Sequence, residues 1–297
     1  MKSKIVIAGG SGFIGQYLVK RFREEGYEVL LISRGASYIT WSDTDKIRTA
    51  LEGAEALINL AGKSVDCRYT NANKQAILES RVTSTEQLQR AVDQCIRPPK
   101  LWINSSTATI YRHATDRAMD ERSGEIGTGF SVHVARAWEQ AFFKTPTPHT
   151  RKIALRTAIV LGMGGGVMQP YSNLVRFGLG GVQGTGQQVF SWIHIEDVYR
   201  VIRFMMEHPL PEGVYNTAAP FPVLNKQFMQ ALRERIKPFV YFSTPEWLLK
   251  LGATLIGTET ELVLKSRWVV PHKLQEAGFL FKYPTITEAL DAIFIQE

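Results

Sequence analysis

A chain of 297 residues with 44% hydrophobic and 21% charged side chains carries enough apolar material for a large core and is too apolar to be disordered. Its formal charge of +7 suits anionic small molecules, and because the basic residues are scattered, with no dense Lys/Arg run, nucleic acid is not expected as a partner. Cys67 and Cys95 are too few for a disulfide framework or a zinc pattern, so no metal is expected, and no apolar run reaches the length of a signal-peptide core or a bilayer span, which makes the cytoplasm the expected compartment.

In chain order, "KIVIAGG" (4–10) reads as a buried strand entering glycine, and 13–25 as a helix with Ile14, Tyr17, Leu18 and Phe22 on one face, stopped by Gly26. A strand follows at 27–33, a weak, polar-broken segment at 37–42 and a helix at 43–52. Next come a strand at 55–62, a long helix at 72–96, a strand at 100–106, a helix at 131–143 and a strand at 152–162. Buried strands alternating with helices predict a parallel sheet covered on both faces. Beyond Gly162 glycines crowd a region of little regular pattern up to Gly186. A helix at 192–208, a strand at 213–219, helices near 225–236 and 245–256 and a final stretch at 271–290 complete the chain.

The fold expected is α/β: a Rossmann-type doubly wound parallel sheet with a smaller C-terminal mixed α/β substrate lobe. Residues 1–162 with about 191–208 form the nucleotide-binding part, and about 163–190 with 209–297 form the lobe, intertwined with it.

The loop "GGSGFIG" places Gly9, Gly12 and Gly15 at three-residue spacing between a strand and a helix. In that context glycine permits the tight turn, lets backbone N–H groups approach a diphosphate and lets the helix sit close to the strand, so a dinucleotide is expected here. At the end of the second strand, where a carboxylate would accept the ribose 2′-hydroxyl of NAD, stand Ser33 and Arg34, and no carboxylate occurs before Asp43. A hydroxyl and a guanidinium suit a 2′-phosphate, which points to NADP(H).

"NLAG" (59–62), "SSTATIY" (105–111), "LRTAIVLG" (155–162) and "WIHIEDV" (192–198), in that order, resemble the extended short-chain dehydrogenase/reductase superfamily over essentially the whole chain. "NLAGKSV", "ILESRVTST", "FGLGG", "SWIHIEDV" and "KLQEAGFLFKYPT" are similar to one atypical branch, whose members are labelled epimerase-family or NAD-dependent epimerase/dehydratase-like proteins. The resemblance implies that Gly9, Gly12, Phe13, Ile14 and Gly15 form the diphosphate loop and that Leu60, Ala61 and Gly62 line the adenosine side of the cofactor. It also implies that Thr107 is the catalytic Ser/Thr and that Arg156 braces the sheet end.

The superfamily's catalytic pair is Tyr-x-x-x-Lys on the next helix, with Glu four residues on. Aligned through Glu139, the lysine position is Ala135 and the tyrosine position is Ser131. The pair is therefore absent, and with it the acidified phenol and the usual ammonium contact to the nicotinamide ribose.

The substitutes are few. Tyr111, four residues after Thr107, is the preferred acid; Ser131 could hydrogen-bond a substrate carbonyl but also reads as an early-helix hydroxyl; His194 is open to either a structural or a catalytic role. His133 points away from Ser131 on a helix, His113 and Asp116 lie on the loop beyond Tyr111, and Asp197 holds loops together. Lys63, Arg68, Lys74 and Arg176 could supply positive charge near the cleft, although each alone reads as a solvated side chain. The expected function is hydride exchange with an unidentified small carbonyl or alcohol substrate, with Thr107 orienting the oxygen and Tyr111 or a bound water replacing the missing phenol. The alternatives are a catalytically silent NADP(H) sensor or scaffold and a nucleotide-sugar epimerase or dehydratase. A monomer or homodimer is expected.

Overall fold

The structure, a computed structural model, describes residues 3–35, 37–243 and 265–294. Strand and helix alternate from the start: β1 (Lys4–Ala8), α1 (Phe13–Glu24), β2 (Glu28–Ile32), α2 (Thr44–Leu51), β3 (Ala56–Asn59), α3 (Asn71–Asp93), β4 (Leu101–Thr107), α4 (Phe130–Phe143) and β5 (Arg151–Thr157). There follow β6 (Ile159–Leu161), α5 (Met168–Arg176), β7 (Val189–Phe190), β8 (Trp192–His194), α6 (Ile195–Glu207), β9 (Gly213–Thr217), β10 (Val223–Leu224) and α7 (Asn225–Ile236). Two short helices, α8 (His272–Glu276) and α9 (Ile286–Phe294), end the described chain.

Six strands form one sheet in the order β2-β1-β3-β4-β5-β9, and every neighbouring pair is parallel. This is the α/β, doubly wound arrangement expected. The period-2 alternation of strand side chains sorts the core onto two faces. Ile5, Ile7, Ile58, Ile103 and Ile153 point to one side and bury Leu18 and Phe22 of α1 with Val198, Ile202 and Met205 of α6. Val6, Leu57, Trp102 and Ala154 point to the other, against Ile47 and Leu51 of α2, Leu88 and Val92 of α3 and Phe142 of α4. The helices start where side chains replace missing partners: Asp43 accepts from the Lys46 N–H before α2, and Thr70 from the Asn73 N–H before α3.

The chain passes from β1 outward to β2 and then returns to β3 on β1's other side, so the crevice between β1 and β3 is a topological switch point. The weak 37–42 segment contributes one parallel bridge, Ile32 to Ile39, outside β2. The predicted strand at 152–162 is two strands. After Thr157 the chain leaves the sheet, and β6 pairs with β8. That pairing also explains why the predicted helix at 192–208 begins only at Ile195. The glycine-rich region holds α5, which a sequence lacking regular pattern did not disclose. The helix expected at 245–256 lies outside the described residues.

A third apolar cluster joins Tyr171 and Val175 of α5, Phe190, Trp192, Phe228 and Leu232 of α7, and Leu290 of α9. A fourth sits at the carboxyl ends of the central strands and contains Ala108, Tyr111, Met119, Ala135, Ala218 and Val269. Among the described residues no helix is long and apolar enough to cross a membrane.

Candidate functional site

The register brings the three predicted cofactor segments together. The Gly9 N–H donates to Ile32 O (2.9 Å), and the Leu60 N–H donates to Ala8 O (2.8 Å). The ends of β1, β2 and β3 thus stand side by side at the switch point. Ser33 is buried with its hydroxyl 3.1 Å from that of Ser11 in the glycine loop. Arg34 beside it is exposed and has no ion-pair partner among the described residues. Buried Asn59 fixes the third segment: its amide donates to Asn104 Oδ1 (2.7 Å) and Thr85 Oγ1 (3.2 Å), and its carbonyl accepts the Ala61 N–H (3.0 Å).

The three glycines divide the labour. Gly9 has φ +78°, and a Cβ there would lie 2.8 Å from backbone atoms of Leu60 and Ala61. A Cβ at Gly15 would lie 2.6 Å from the Gly10 Cα, so this glycine lets α1 sit against the loop. Gly12 differs: its Cβ would meet nothing nearer than Gly9 O at 3.7 Å. The protein itself does not require glycine at position 12, yet the space there adjoins the start of α1. That terminus has no side-chain cap and no acidic residue in its first turn, so its N–H groups, from Phe13 and Ile14 on, face outward. An uncapped N-terminus with a bare Cα beside it fits an anion of diphosphate size. Phe13 is clasped from the other side, because side chains at Gly162, Gly165 or Gly166 would strike its ring.

At the end of β4, Thr107 Oγ1 accepts the Thr109 N–H (3.1 Å), which leaves its own O–H free to donate. Thr109 is in turn met by two cations that the sequence reading passed over: Lys265 Nζ donates to its carbonyl (3.1 Å) and Arg267 Nε to its hydroxyl (3.2 Å).

The proton-handling candidates are placed less openly than expected. Tyr111 is 2% exposed. Its hydroxyl donates to Asn216 Oδ1 (2.9 Å) and accepts from Arg156 Nη1 (3.0 Å). Burial lifts this phenol above its ordinary pKa despite the guanidinium. Tyr111 is thus held within the fourth cluster with its hydroxyl engaged on both sides. Arg156 is the hub of that arrangement: Nε and Nη2 grip the two oxygens of Glu139 (2.9 and 2.8 Å), and Ser106 Oγ donates to Glu139 as well (2.6 Å). Burial alone would weaken the Arg156 charge, but the Glu139 carboxylate outweighs it and holds the guanidinium above its usual pKa. Ala135 is fully buried beside Tyr111 in the apolar cluster, Ser131 lies half-buried in the first turn of α4, and His133 is exposed.

His194 has a structural task. Its Nδ1 accepts the Glu196 N–H (3.1 Å) and caps α6, and its ring lies 4.3 Å from that of Tyr283. Burial, helped by Lys282, pushes its pKa down to about 4. The unfolded chain therefore binds a proton near pH 6.5 that the folded chain refuses until about pH 4. Stability contributed by neutral His194 is complete above that window and falls as pH drops through it, by about 3 kcal/mol in all. Urea melts between pH 7 and 4 should show this slope, and His194→Asn, which keeps a capping acceptor, should flatten it. Asp197, fully buried, accepts from the Lys282 and Tyr283 N–H groups (2.8 and 2.9 Å) and ties α6 to the C-terminal stretch. His113 Nδ1 accepts the Ser266 N–H, and Asp116 pairs with Arg112. Arg176 is exposed, Lys74 lies over the Phe130 ring, and the Lys63 N–H donates to Ser80.

A cleft of about 510 Å³ lies apart from the glycine loop, between Pro220–Leu224, Val189 and Trp268. It contains neither Thr107 nor the cofactor segments.

Comparison with known proteins agrees with this geometry. Residues 5–218 match the model of the NAD dependent epimerase/dehydratase family, and residues 244–293 match a domain of unknown function. The epimerase family protein YfhF of Bacillus subtilis is 32% identical, with 97% of each chain covered. Epimerase family protein SDR39U1 of Mus musculus is 30% identical, covering 97% of this chain and 98% of that one. The crystal structure of human SDR39U1 (isoform 2) with NADPH superposes with a TM-score of 0.89 at 29% identity, covering 99% of this chain and 100% of that one. A nucleoside-diphosphate sugar epimerase from Corynebacterium glutamicum gives a TM-score of 0.80 at 26% identity, over 100% of this chain and 59% of that one. The chain belongs to the NAD dependent epimerase/dehydratase family.

Proposed function

We propose that this protein binds NADP(H) at the switch point and exchanges hydride with a small carbonyl or alcohol substrate without a Tyr-x-x-x-Lys pair. The observation that carries the reading is Gly12, whose missing side chain leaves room beside a helix start that no side chain caps among the described residues. Gly9, Gly12, Phe13, Ile14 and Gly15 would hold the diphosphate, Ser33 and Arg34 the 2′-phosphate, and Leu60, Ala61 and Gly62 the adenosine side. The human relative crystallised with NADPH supports the choice of nucleotide. NADP(H), when bound, supplies the hydride donor or acceptor.

The chain's own part is to orient and to handle the proton. Thr107 keeps a free O–H to donate to the substrate oxygen. Of the two proton carriers open in the sequence, Tyr111 or water, the engaged phenol favours water, with Ser131 near its path. The rival reading, a silent NADP(H) sensor or scaffold, is favoured by the same enclosure of Tyr111 and Ala135. Epimerisation needs an acid and a base at one carbon and draws support only from the family and its relatives.

A panel of carbonyl compounds presented with NADPH decides between them. The enzyme reading expects NADPH oxidation with at least one class and a loss of at least about tenfold in kcat for Thr107→Ala. NADPH binding with no oxidation across the panel would leave the sensor.

A further inference from the structure

The lysine position on α4 is Ala135, sealed in an apolar cluster, so the contact an ammonium makes to the nicotinamide-side ribose cannot come from there. A different cation stands on the neighbouring helix. Arg81, midway along α3, folds its guanidinium across to α4 and lies 5.1 Å from the centroid of the Trp138 ring. Trp138 is one turn beyond Ala135 and two beyond Ser131, so the guanidinium covers the face of α4 on which the missing pair would sit. Trp138 is itself fixed, its indole N–H donating to Thr85 (3.1 Å).

On its other side the same guanidinium reaches the loop after β3. Nη1 donates to Lys63 O (3.0 Å) and to Ile77 O (3.0 Å). A side chain at exposed Gly62 would lie 2.9 Å from Arg81 Cζ and 3.1 to 3.2 Å from its terminal nitrogens. Glycine at 62 therefore makes room for the arginine at the far end of the adenosine-side segment, from which the guanidinium continues to Trp138 of α4. Among the described residues no carboxylate forms an ion pair with Arg81, and no acceptor receives its Nε or Nη2. Burial pulls its pKa down to about 10, which leaves it fully charged at neutral pH. The unpaired Nε and Nη2 are not sealed from solvent, so a ligand can reach them.

We propose that Arg81 holds the nicotinamide-side ribose of NADP(H), supplying from α3 the cationic contact that α4 lacks. This rests on the reading of the switch point as a NADP(H) site and adds a residue to it. Arg81 is a binding and positioning residue here, and the hydride and the proton move elsewhere.

The test is isothermal titration of the purified full-length protein with two ligands. One is NADPH; the other is adenosine 2′,5′-bisphosphate, which carries the adenosine end and lacks the second ribose. Arg81→Gln is expected to weaken NADPH binding by about tenfold or more and to leave the bisphosphate within about twofold. Arg81→Lys, which keeps the charge and loses the planar fork, is expected to weaken NADPH binding by about threefold or more, again without affecting the bisphosphate. It carries the test if the glutamine variant does not fold. Unchanged NADPH affinity overturns the proposal. An equal loss for both ligands also overturns it, since that is what a mere prop of the Gly62–Lys63 loop would give. If wild-type protein binds neither nucleotide, the proposed function fails first, and the two failures are distinguished.

Discussion

Alanine at Gly12 is expected to leave the protein folded and remove most of its affinity for NADPH, whereas alanine at Gly9 is expected to unfold much of the population. The backbone at Gly12 is extended, φ −80° and ψ 172°, and the added methyl would touch only Gly9 O at 3.7 Å. Its stability cost is therefore within about 1 kcal/mol. The methyl would occupy the space through which a diphosphate approaches the first N–H groups of α1, and a loss of at least about tenfold in affinity follows. At Gly9 the φ of +78° disfavours any side chain, and the methyl would overlap three backbone atoms of Leu60 and Ala61 at 2.8 Å. No rotamer relieves that overlap, so the cost is about 2–5 kcal/mol. Thermal melts with and without NADPH separate the outcomes. Gly12→Ala should melt like wild type without nucleotide and gain little from it. Equal nucleotide-induced stabilisation of Gly12→Ala and wild type would mean that the bare Cα has no ligand to serve.

The second large effect is expected at Glu139. Its carboxylate is gripped by two Arg156 nitrogens and by Ser106, and the side chains of Arg156 and Glu139 are only 11% and 12% exposed. Glu139→Ala would strand a half-satisfied guanidinium at the ends of β4 and β5 and slacken its hold on Tyr111. Because neither group is wholly removed from solvent, about 3 kcal/mol is the fair expectation, toward the lower end for breaking a buried pair. The double variant Glu139→Met with Arg156→Met should lose much less than the sum of the two single changes, since it leaves no buried charge alone. Additive losses in urea melts would show that the pair is not the unit argued here.

What the sequence discloses of this molecule follows physical range. Apolar runs such as those at 5–8 and 56–58 read as buried strands, and the glycine spacing marks the turn between β1 and α1. The helix predicted at 131–143 begins one residue earlier, at Phe130, because its apolar face is regular. Short strands whose existence depends on a distant partner are less visible. Val160 pairs with Ile193, and only that pairing divides the apparent strand at 152–162 and delays α6.

The site divides in the same way. The cofactor segments are local: each follows a strand, and the register sets them side by side. The roles of Tyr111 and Arg81 are not local. Nothing near Tyr111 in sequence announces that Asn216 and Arg156 will close on its hydroxyl. Arg81 sits in a long helix among other polar residues, and its contacts come from afar: Gly62 in the loop after β3 and Trp138 on α4. The polar "SRW" segment gave no sign that Lys265 and Arg267 converge on Thr109.

The central claim, a NADP(H) site at the switch point with Arg34 as its reader of the phosphate, is tested most directly by one titration. Wild-type protein and Arg34→Asp are each titrated with NADPH and NADH, following the quenching of intrinsic tryptophan fluorescence. The wild type is expected to bind NADPH at least about tenfold more tightly than NADH, as a charge-assisted contact to a 2′-phosphate requires. The variant, with a carboxylate that repels phosphate and accepts a ribose hydroxyl, is expected to reverse that preference. Binding of neither nucleotide, or equal affinities that Arg34→Asp does not change, would contradict the account.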